Sequence, residues 1–352
     1  MENEVNDSRI SKYFNLPQLG QAARNTCFKE LDKEYKPTLP IHNKNYIFGI
    51  EVEVERVPNP YIIDNTTYWT ITTDGSLRND GVEFVSLPIR MDQIEGALKQ
   101  LRANLPNDHE FSPRTSVHVH MNVRDMTITQ INNLILLYTM VENLLFNYAG
   151  ESRKNNVFCI RLQDTNYVRL MRDFQTNPYE VVRTWNKYTA LNLNPMQDKG
   201  TVEFRHMRGT VDATTLITWI NFLACLKTCA KENTTVQLLR QVVELNAQSN
   251  YEIFLYNIFG EAAEILVHRQ DVQHSMEEAV SFVKLANWSP EKQPEQEKQK
   301  YANPTMAFID NLVVETHRPI ARDMDRIRRI LRQEQQAMTL GGNTTPITNT
   351  GI

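Results

Sequence analysis

Carboxylates, imidazoles and one guanidinium occupy alternate positions of four short apolar segments in this chain. They are Glu51, Glu53 and Glu55 in the first segment, Glu83 in the second, His118 and His120 in the third, and Glu203 and Arg205 in the fourth. Residues two apart in a β-strand lie on one face, so each segment would have an apolar side and a polar side. Glutamates without cysteines among them select a hard, oxygen-preferring cation. The pattern predicts a metal and phosphate site.

An ordinary solvated strand face is the alternative explanation for each segment taken alone. Acids are depleted in strands, however. Three glutamates on one face would lie about 7 Å apart at a rise of ~3.3 Å per residue, and such carboxylates repel each other unless a cation lies between them. We therefore expect the segments to share one site for Mg²⁺ or Mn²⁺, although an H-x-H pair alone would also suit Zn²⁺.

Further polar residues could take part in this site. Arg205 offers a planar fork for phosphate oxygens, unless it and Glu203 only pair with charges on neighbouring strands. Lys187 and Arg208 are further candidates for contacts with a nucleotide, or ordinary surface charges. Asp74 lies in an Asp-Gly sequence that is typical of a tight turn, and at the mouth of a sheet it could also accept a proton from an amine.

Strands and helices of mixed order must position these residues. The alternation predicts strands over 46–55, 68–73, 82–86, 115–123 and 200–208. Helical spacing predicts helices over 91–105, 129–150 with Thr129 as N-cap, 178–186, 212–230, 234–247, 251–268 and 275–286. This order indicates an α+β fold with an antiparallel sheet packed on helices, and the long helix 129–150 is the best candidate to lie under the sheet. The chain lacks the glycine-rich GxGxxG and Walker A sequences.

Composition limits the class of protein. The 352 residues carry a net charge of −4 and four scattered cysteines, and the longest apolar run, 131–146, is interrupted by polar residues. These features favour a soluble cytoplasmic protein and give no sign of a membrane or nucleic-acid surface. We expect an N-terminal arm (1–45), a core (46–230), a helical extension (231–288), a linker (289–304), C-terminal helices with a basic face (305–338) and a disordered tail (339–352). The late helices could pack within one chain or between the copies of a homo-oligomer.

Six motifs together resemble the amidoligase family, whose relatives are glutamine synthetase and the glutamate–cysteine ligases. The resemblance covers about 46–230, and several family members resemble bacteriophage products, which would place such a protein in the host cytoplasm. The motifs are Phe48-Gly49-Ile50-Glu51-Val52-Glu53, Asp74-Gly75-Ser76-Leu77, Gly81-Val82-Glu83-Phe84-Val85-Ser86-Leu87-Pro88, Val117-His118-Val119-His120, Lys187-Tyr188 with Leu191-Asn192, and Gly200-Thr201-Val202-Glu203-Phe204-Arg205 with Gly209-Thr210.

The resemblance implies a glutamine synthetase-like sheet whose concave face binds ATP and two or more divalent ions. By this likeness Glu51, Glu53, Glu83, His118 and Glu203 are metal ligands. His120 would lie near the nucleotide or its phosphates, and Arg205 near the transferred phosphate. Family members often carry a Cys-Gly-Leu-like run before the H-x-H, where this chain has Thr115-Ser116-Val117.

Three functions remain open at this level. The first is an ATP-dependent carboxylate–amine ligase that works through an acyl phosphate, with Asp74 or Glu55 as proton acceptor and small-molecule or peptide substrates. The second is a metal-dependent hydrolase of amides or esters, which needs no nucleotide. The third is a non-catalytic binding protein on the same fold.

Overall fold

An antiparallel β-sheet and a set of α-helices make up the protein, which confirms the predicted α+β class. The computed structural model describes residues 10, 13–14, 37–58, 68–267 and 272–288. The predicted linker, C-terminal helices and tail beyond residue 288 lie outside the described residues.

The sheet has the strand order β2-β3-β1-β5-β7-β6, and the short strand β4 pairs with β1. All of these pairs are antiparallel. The strands are β1 (Ile47–Val54), β2 (Trp69–Thr72), β3 (Val82–Ser86), β4 (Ile89–Arg90), β5 (Ser116–Asn122), β6 (Leu191–Asn192) and β7 (Thr201–Arg208). The four central strands, β3, β1, β5 and β7, are those in which the sequence places polar residues at alternate positions.

The predicted helices occur in the predicted order with shifts at their ends, and a short helix that was not predicted forms over Tyr167–Met171. They are α1 (Ile94–Asn104), α2 (Ile128–Ala149), α3 (Tyr167–Met171), α4 (Pro178–Thr184), α5 (Ala213–Glu232), α6 (Thr235–Val243), α7 (Gln248–Phe259), α8 (Ala263–Val267) and α9 (Val272–Leu285). The helix predicted over 251–268 is in fact two helices. Gly260, at a φ of 58°, separates α7 from α8, because such a backbone angle does not continue a helix.

Helix α2 lies under the sheet, as predicted. Its Tyr138 ring is 5.9 Å from the ring of Phe204, which points from β7 to the apolar face. Ile50 and Val52 of β1 are fully buried on that face. At the other edge of the sheet, the indole N–H of Trp69 donates to the Ala97 carbonyl of α1 at 3.1 Å. The apolar face therefore forms the core with the helices and leaves the opposite face to the polar side chains.

The N-cap of α2 is Thr127 rather than the predicted Thr129. The Thr127 hydroxyl accepts a hydrogen bond from the Gln130 N–H at 3.1 Å, and the Gln130 side chain accepts one from the Thr127 N–H at 2.9 Å. This reciprocal pair satisfies two N–H groups, whereas Thr129 lies inside the helix. At the other end, Gly150 follows the last helical residue at a φ of 117°, as predicted.

The described part of the N-terminal arm is attached to the core. The N–H groups of Thr38 and Leu39 both donate to the buried carboxylate of Glu95 in α1, at 2.8 and 3.1 Å. The N–H of His42 donates to the Asn221 side chain of α5 at 2.7 Å. These bonds hold residues 38–42 against two helices.

Among the described helices, α5 has the length and composition of a membrane-crossing helix. Most of it is buried inside the fold, and its Trp219 and Phe222 are fully buried. Helix α5 therefore packs as a core helix.

Candidate active site

The polar side chains of the four central strands lie side by side on one face of the sheet. The strand register places Glu51 opposite His118 and Glu53 opposite Glu83. It also places His120 opposite Glu203. Neighbouring strands are ~4.8 Å apart, so acids and imidazoles that are distant in the sequence become adjacent.

His118 lies at the centre of this group and is 4% exposed. Its Nδ1 is 3.3 Å from Glu51 Oε2 and 3.5 Å from Glu203 Oε1. Its Nε2 is 2.9 Å from the Ser116 hydroxyl and 3.8 Å from Glu53 Oε1. One nitrogen of this imidazole therefore faces the carboxylates of Glu51 and Glu203, and the other faces that of Glu53.

Two sets of three side chains could hold metal ions within the described residues. Their ligand atoms lie within 4.8 Å of one another, and both sets include His118. The sets are Glu51, His118 and Glu203, and Glu53, Glu83 and His118. These five are the residues that the sequence and the resemblance nominate as metal ligands, and we call them the carboxylate cluster. Four carboxylates and one imidazole fit a hard divalent cation such as Mg²⁺ or Mn²⁺.

Hydroxyl and amide groups fix the orientation of these ligands. Both the N–H and the hydroxyl of Ser116 donate to Glu53 Oε2 at 2.7 Å. The Thr72 hydroxyl donates to Glu83 Oε2 at 2.9 Å, and the Asn192 amide donates to Glu203 Oε2 at 2.7 Å. Such partners orient ligands and set their affinity for a metal. These orienting roles were not predicted, although Ser116 lies two residues before His118 and so continues its polar alternation.

His120 contacts the cluster from its other side. Its Nδ1 is 3.0 Å from the Thr201 hydroxyl. Its buried Nε2 is 3.1 Å from Glu51 Oε1 but makes no hydrogen bond there. A buried imidazole nitrogen with no hydrogen-bond partner is available to a ligand.

A β-bulge interrupts β7 beside the cluster. Val119 pairs with Phe204 but Val117 pairs with Met207, so two residues of β7, Arg205 and His206, oppose the single residue His118 of β5. Arg205 keeps the polar face of Glu203, whereas His206 packs against aromatic rings on the apolar side. Arg205 Nη1 donates to Glu203 Oε1, and its Nε donates to the Phe158 carbonyl at 3.3 Å.

The charges of the cluster act on one another. Burial alone would raise the pKa of Glu51, but the hydrogen bond to His118 and the charges of His118 and His120 hold it well below its usual value. Burial likewise opposes ionisation of Glu203, and His118, His120 and Arg205 outweigh it and lower the pKa. The pKa of Glu83 is raised, by burial and by the charge of Glu51. Repulsion between the carboxylates is therefore only partly balanced by the imidazoles and Arg205.

One further cation reaches the cluster from the solvent side. The ammonium group of Lys199 is 3.7 Å from Glu51 Oε1, and its side chain is 56% exposed. Lys199 immediately precedes the Gly200–Arg208 segment, and its contact with the cluster was not predicted from the sequence.

Four other residues singled out from the sequence lie apart from these contacts. Glu55 is buried and accepts a hydrogen bond from the Arg78 N–H at 2.8 Å. Asp74 is half-buried in a turn, where its Oδ1 accepts from the Ser76 N–H at 2.7 Å. Lys187 is exposed and lies 5.0 Å from the Tyr188 ring centroid. Arg208 Nη1 donates to the Tyr148 and Ala149 carbonyls at the end of α2, at 2.9 and 3.2 Å.

The chain belongs to the amidoligase family. A family model described as "Putative amidoligase enzyme" matches residues 18–227, well over half of the chain. The match includes β1 to β7 and α5 almost to its end, and it begins within the predicted N-terminal arm. No curated protein matches the chain. Family membership indicates an enzyme of the ligase type.

Proposed function

We propose that the protein is an ATP-dependent carboxylate–amine ligase that forms an amide bond through an acyl phosphate. Family membership supports the ligase class. The observation that carries the proposal is the carboxylate cluster, in which four glutamates and His118 converge from four strands beside Arg205. We infer from the same family that the core is glutamine synthetase-like, and a phage-encoded member would act in the host cytoplasm.

The residues of the cluster have distinct proposed roles. Glu51, Glu53, Glu83, His118 and Glu203 would hold Mg²⁺ or Mn²⁺ ions, which would supply positive charge to the phosphates of the nucleotide. Arg205 would hold the oxygens of the phosphoryl group during transfer, since a guanidinium binds phosphate through two N–H groups. His120, with its free Nε2, would donate to a phosphate oxygen. Lys199 extends the positive charge on the solvent side.

The reaction has two steps. A substrate carboxylate oxygen attacks the γ-phosphorus of ATP, and the bond to the leaving ADP oxygen breaks, which gives an acyl phosphate. The nitrogen of an amine then attacks the acyl carbon, and inorganic phosphate leaves. The attacking amine loses one proton, and Asp74 is the proposed acceptor, because its side chain is partly exposed whereas Glu55 is almost fully buried.

Substrate consumption in the presence of ATP tests this proposal. The protein is incubated with Mg²⁺, ATP and libraries of small carboxylates, peptides and amines, and ADP and condensed products are followed by mass spectrometry. We expect ADP, phosphate and an amide in equal amounts. Transfer of ¹⁸O from the carboxylate to inorganic phosphate would show that an acyl phosphate forms, because that oxygen leaves with the phosphate.

The control separates the ligase from a hydrolase. Glu264, an exposed residue of α8, provides the matched variant Glu264→Gln, which should keep the wild-type rate, whereas Glu53→Gln should not. A metal-dependent loss of amides or esters that proceeds equally well without ATP would replace the ligase by a hydrolase. No turnover with or without ATP, together with metal binding, would favour a binding protein.

A further inference from the structure

Two loops beside Arg205 expose a continuous apolar surface, the aromatic ledge, formed by Val157, Phe158 and Tyr188. These residues are 68%, 40% and 39% exposed. The rings of Phe158 and Tyr188 contact each other edge to face, with centroids 6.0 Å apart. Single exposed apolar residues are ordinary, but a group of them on a fixed surface marks a place where another molecule binds.

Backbone hydrogen bonds fix the aromatic ledge to the sheet. The Ile160 N–H donates to the Tyr188 carbonyl, and the Ala190 N–H donates to the Ile160 carbonyl, both at 2.8 Å. The Arg205 N–H in turn donates to the Ala190 carbonyl at 2.9 Å. The two loops that carry the ledge therefore extend the edge of the sheet at the level of Arg205.

Arg205 connects the ledge to the carboxylate cluster. Its Nη1 donates to Glu203, and its Nε donates to the Phe158 carbonyl at 3.3 Å. A second cation, Lys187, lies 5.0 Å from the Tyr188 ring centroid. An anion that also carries a planar ring matches two cations beside two aromatic rings, whereas a cationic amine would be repelled.

We propose that the aromatic ledge binds the planar base of a nucleoside triphosphate whose phosphates lie at Arg205 and the carboxylate cluster. The proposal rests on the ATP dependence of the proposed function. Aromatic side chains stack on nucleic-acid bases, and the sequence has no glycine-rich phosphate loop to supply affinity. The side chains of the ledge would provide that part of the binding.

Binding measurements can distinguish the contribution of the base to affinity from that of the phosphates. The probes are MgATP and magnesium tripolyphosphate, which shares the phosphate chain but has no base, and the readout is isothermal titration calorimetry. We expect the wild type to bind MgATP at least ten-fold more tightly than magnesium tripolyphosphate. The double variant Phe158→Ala with Tyr188→Ala should weaken MgATP binding by about ten-fold or more and change tripolyphosphate binding by less than two-fold.

Two further variants serve as controls. Tyr256→Ala removes a tyrosine of α7 that is 47% exposed, and it should bind both probes like the wild type. The double variant Phe158→Tyr with Tyr188→Phe keeps both rings and should retain MgATP affinity. Circular dichroism on each variant checks that it is folded.

Three outcomes would overturn the proposal. If both probes bind equally and the alanine variants change neither, the ledge does not hold the base and the ligase proposal stands. If the alanine variants weaken the binding of both probes equally, the ledge contributes to phosphate binding or to the stability of the fold rather than to binding of the base. If neither probe binds the wild type, the proposed ATP dependence and the ledge fail together.

Discussion

Two buried histidines on opposite faces of the sheet have pKa values that their surroundings shift in opposite directions. Burial lowers the pKa of His118, but the hydrogen bond to Glu51 and the charges of Glu53 and Glu203 outweigh burial and Arg205, and the pKa is raised. His206 is packed against the rings of Tyr138, Phe146 and Trp219. There burial, with the charge of Arg153, lowers the pKa to about 3.

Burial alone therefore does not define the function of a polar residue. His118 is surrounded by acids that outweigh the loss of hydration, so it favours positive charge and can exchange a proton for a metal. His206 is packed against three aromatic rings, and burial with the charge of Arg153 keeps it neutral. Substitutions on the polar face should affect activity, whereas a substitution on the apolar face should affect stability.

Removal of one charge from the carboxylate cluster should have the largest effect on activity. Glu51→Gln keeps the shape of the side chain but removes a charge that neighbours both His118 and Glu203. We expect the rate of ATP-dependent condensation to fall by about 10²-fold or more, because charge stabilisation at a phosphoryl group carries much of the rate. The fold should remain, as judged by circular dichroism. A Glu51→Gln variant with the wild-type rate would exclude the cluster as the site.

Two arginines of the same strand should separate catalysis from stability. Arg205→Ala removes the guanidinium beside Glu203, so we expect a loss of activity of about 10²-fold. Arg208→Ala removes the contacts with the carbonyls at the end of α2, so it should lower the free energy of unfolding by about 1 kcal/mol. Activity assays and denaturant unfolding on both variants measure this contrast. The sequence also nominates Arg208 for the nucleotide, and equal losses of activity would favour that role.

The positioning role of Ser116 should have an intermediate effect. Ser116→Ala removes the hydroxyl that donates to Glu53 and contacts His118, while the N–H bond to Glu53 remains. Loss of a group that orients a metal ligand weakens metal binding by about 10- to 100-fold. We therefore expect the Mg²⁺ or Mn²⁺ concentration for half-maximal activity to rise in that range. At saturating metal, most of the activity should return, and a variant that stays inactive there would assign Ser116 another role.

On the apolar face, His206→Phe should alter the response to pH rather than activity. The folded-state pKa of His206 is about 3 and its ordinary value is 6.5, so the unfolded chain takes up the proton first. His206 therefore lowers the stability of the wild type as the pH falls below 6.5, by about 2 kcal/mol at pH 5. His206→Phe should remove this slope, which urea unfolding at pH 7 and pH 5 would measure. An unchanged slope would mean that His206 is not the group responsible.

The sequence predicts the two faces of the sheet well, because side-chain alternation is a local property of a strand. The central strands and the five proposed metal ligands follow from it, together with the resemblance to the amidoligase family. The antiparallel α+β class follows from the order of the elements. These predictions need no knowledge of which strands pair.

Features that depend on pairing between distant segments could not be predicted. The bulge at Arg205 and His206 exists only relative to β5, so its extra residue has no local signal. Alternation groups Glu55 with Glu51 and Glu53, but Glu55 lies beyond the end of β1, where it pairs with Glu110 and accepts from the Arg78 N–H instead of joining the cluster. Arg208 contacts the end of α2, about sixty residues earlier in the chain. The N-cap Thr127 is a different case, because the Thr-x-x-Gln capping box that it forms with Gln130 is a local signal that the sequence does carry.

The extra residue in β7 gives this strand a tolerance to a one-residue deletion that a regular strand lacks. Phe204 and Met207 pair with Val119 and Val117, which lie on one face of β5, so removal of His206 would leave an even ladder with both side chains still on the apolar face. A one-residue deletion in β1, which pairs with β5 without a bulge, would instead turn every side chain beyond the gap to the opposite face. Protein engineering that shortens a strand of this sheet is therefore best confined to the bulge, with Arg205 kept.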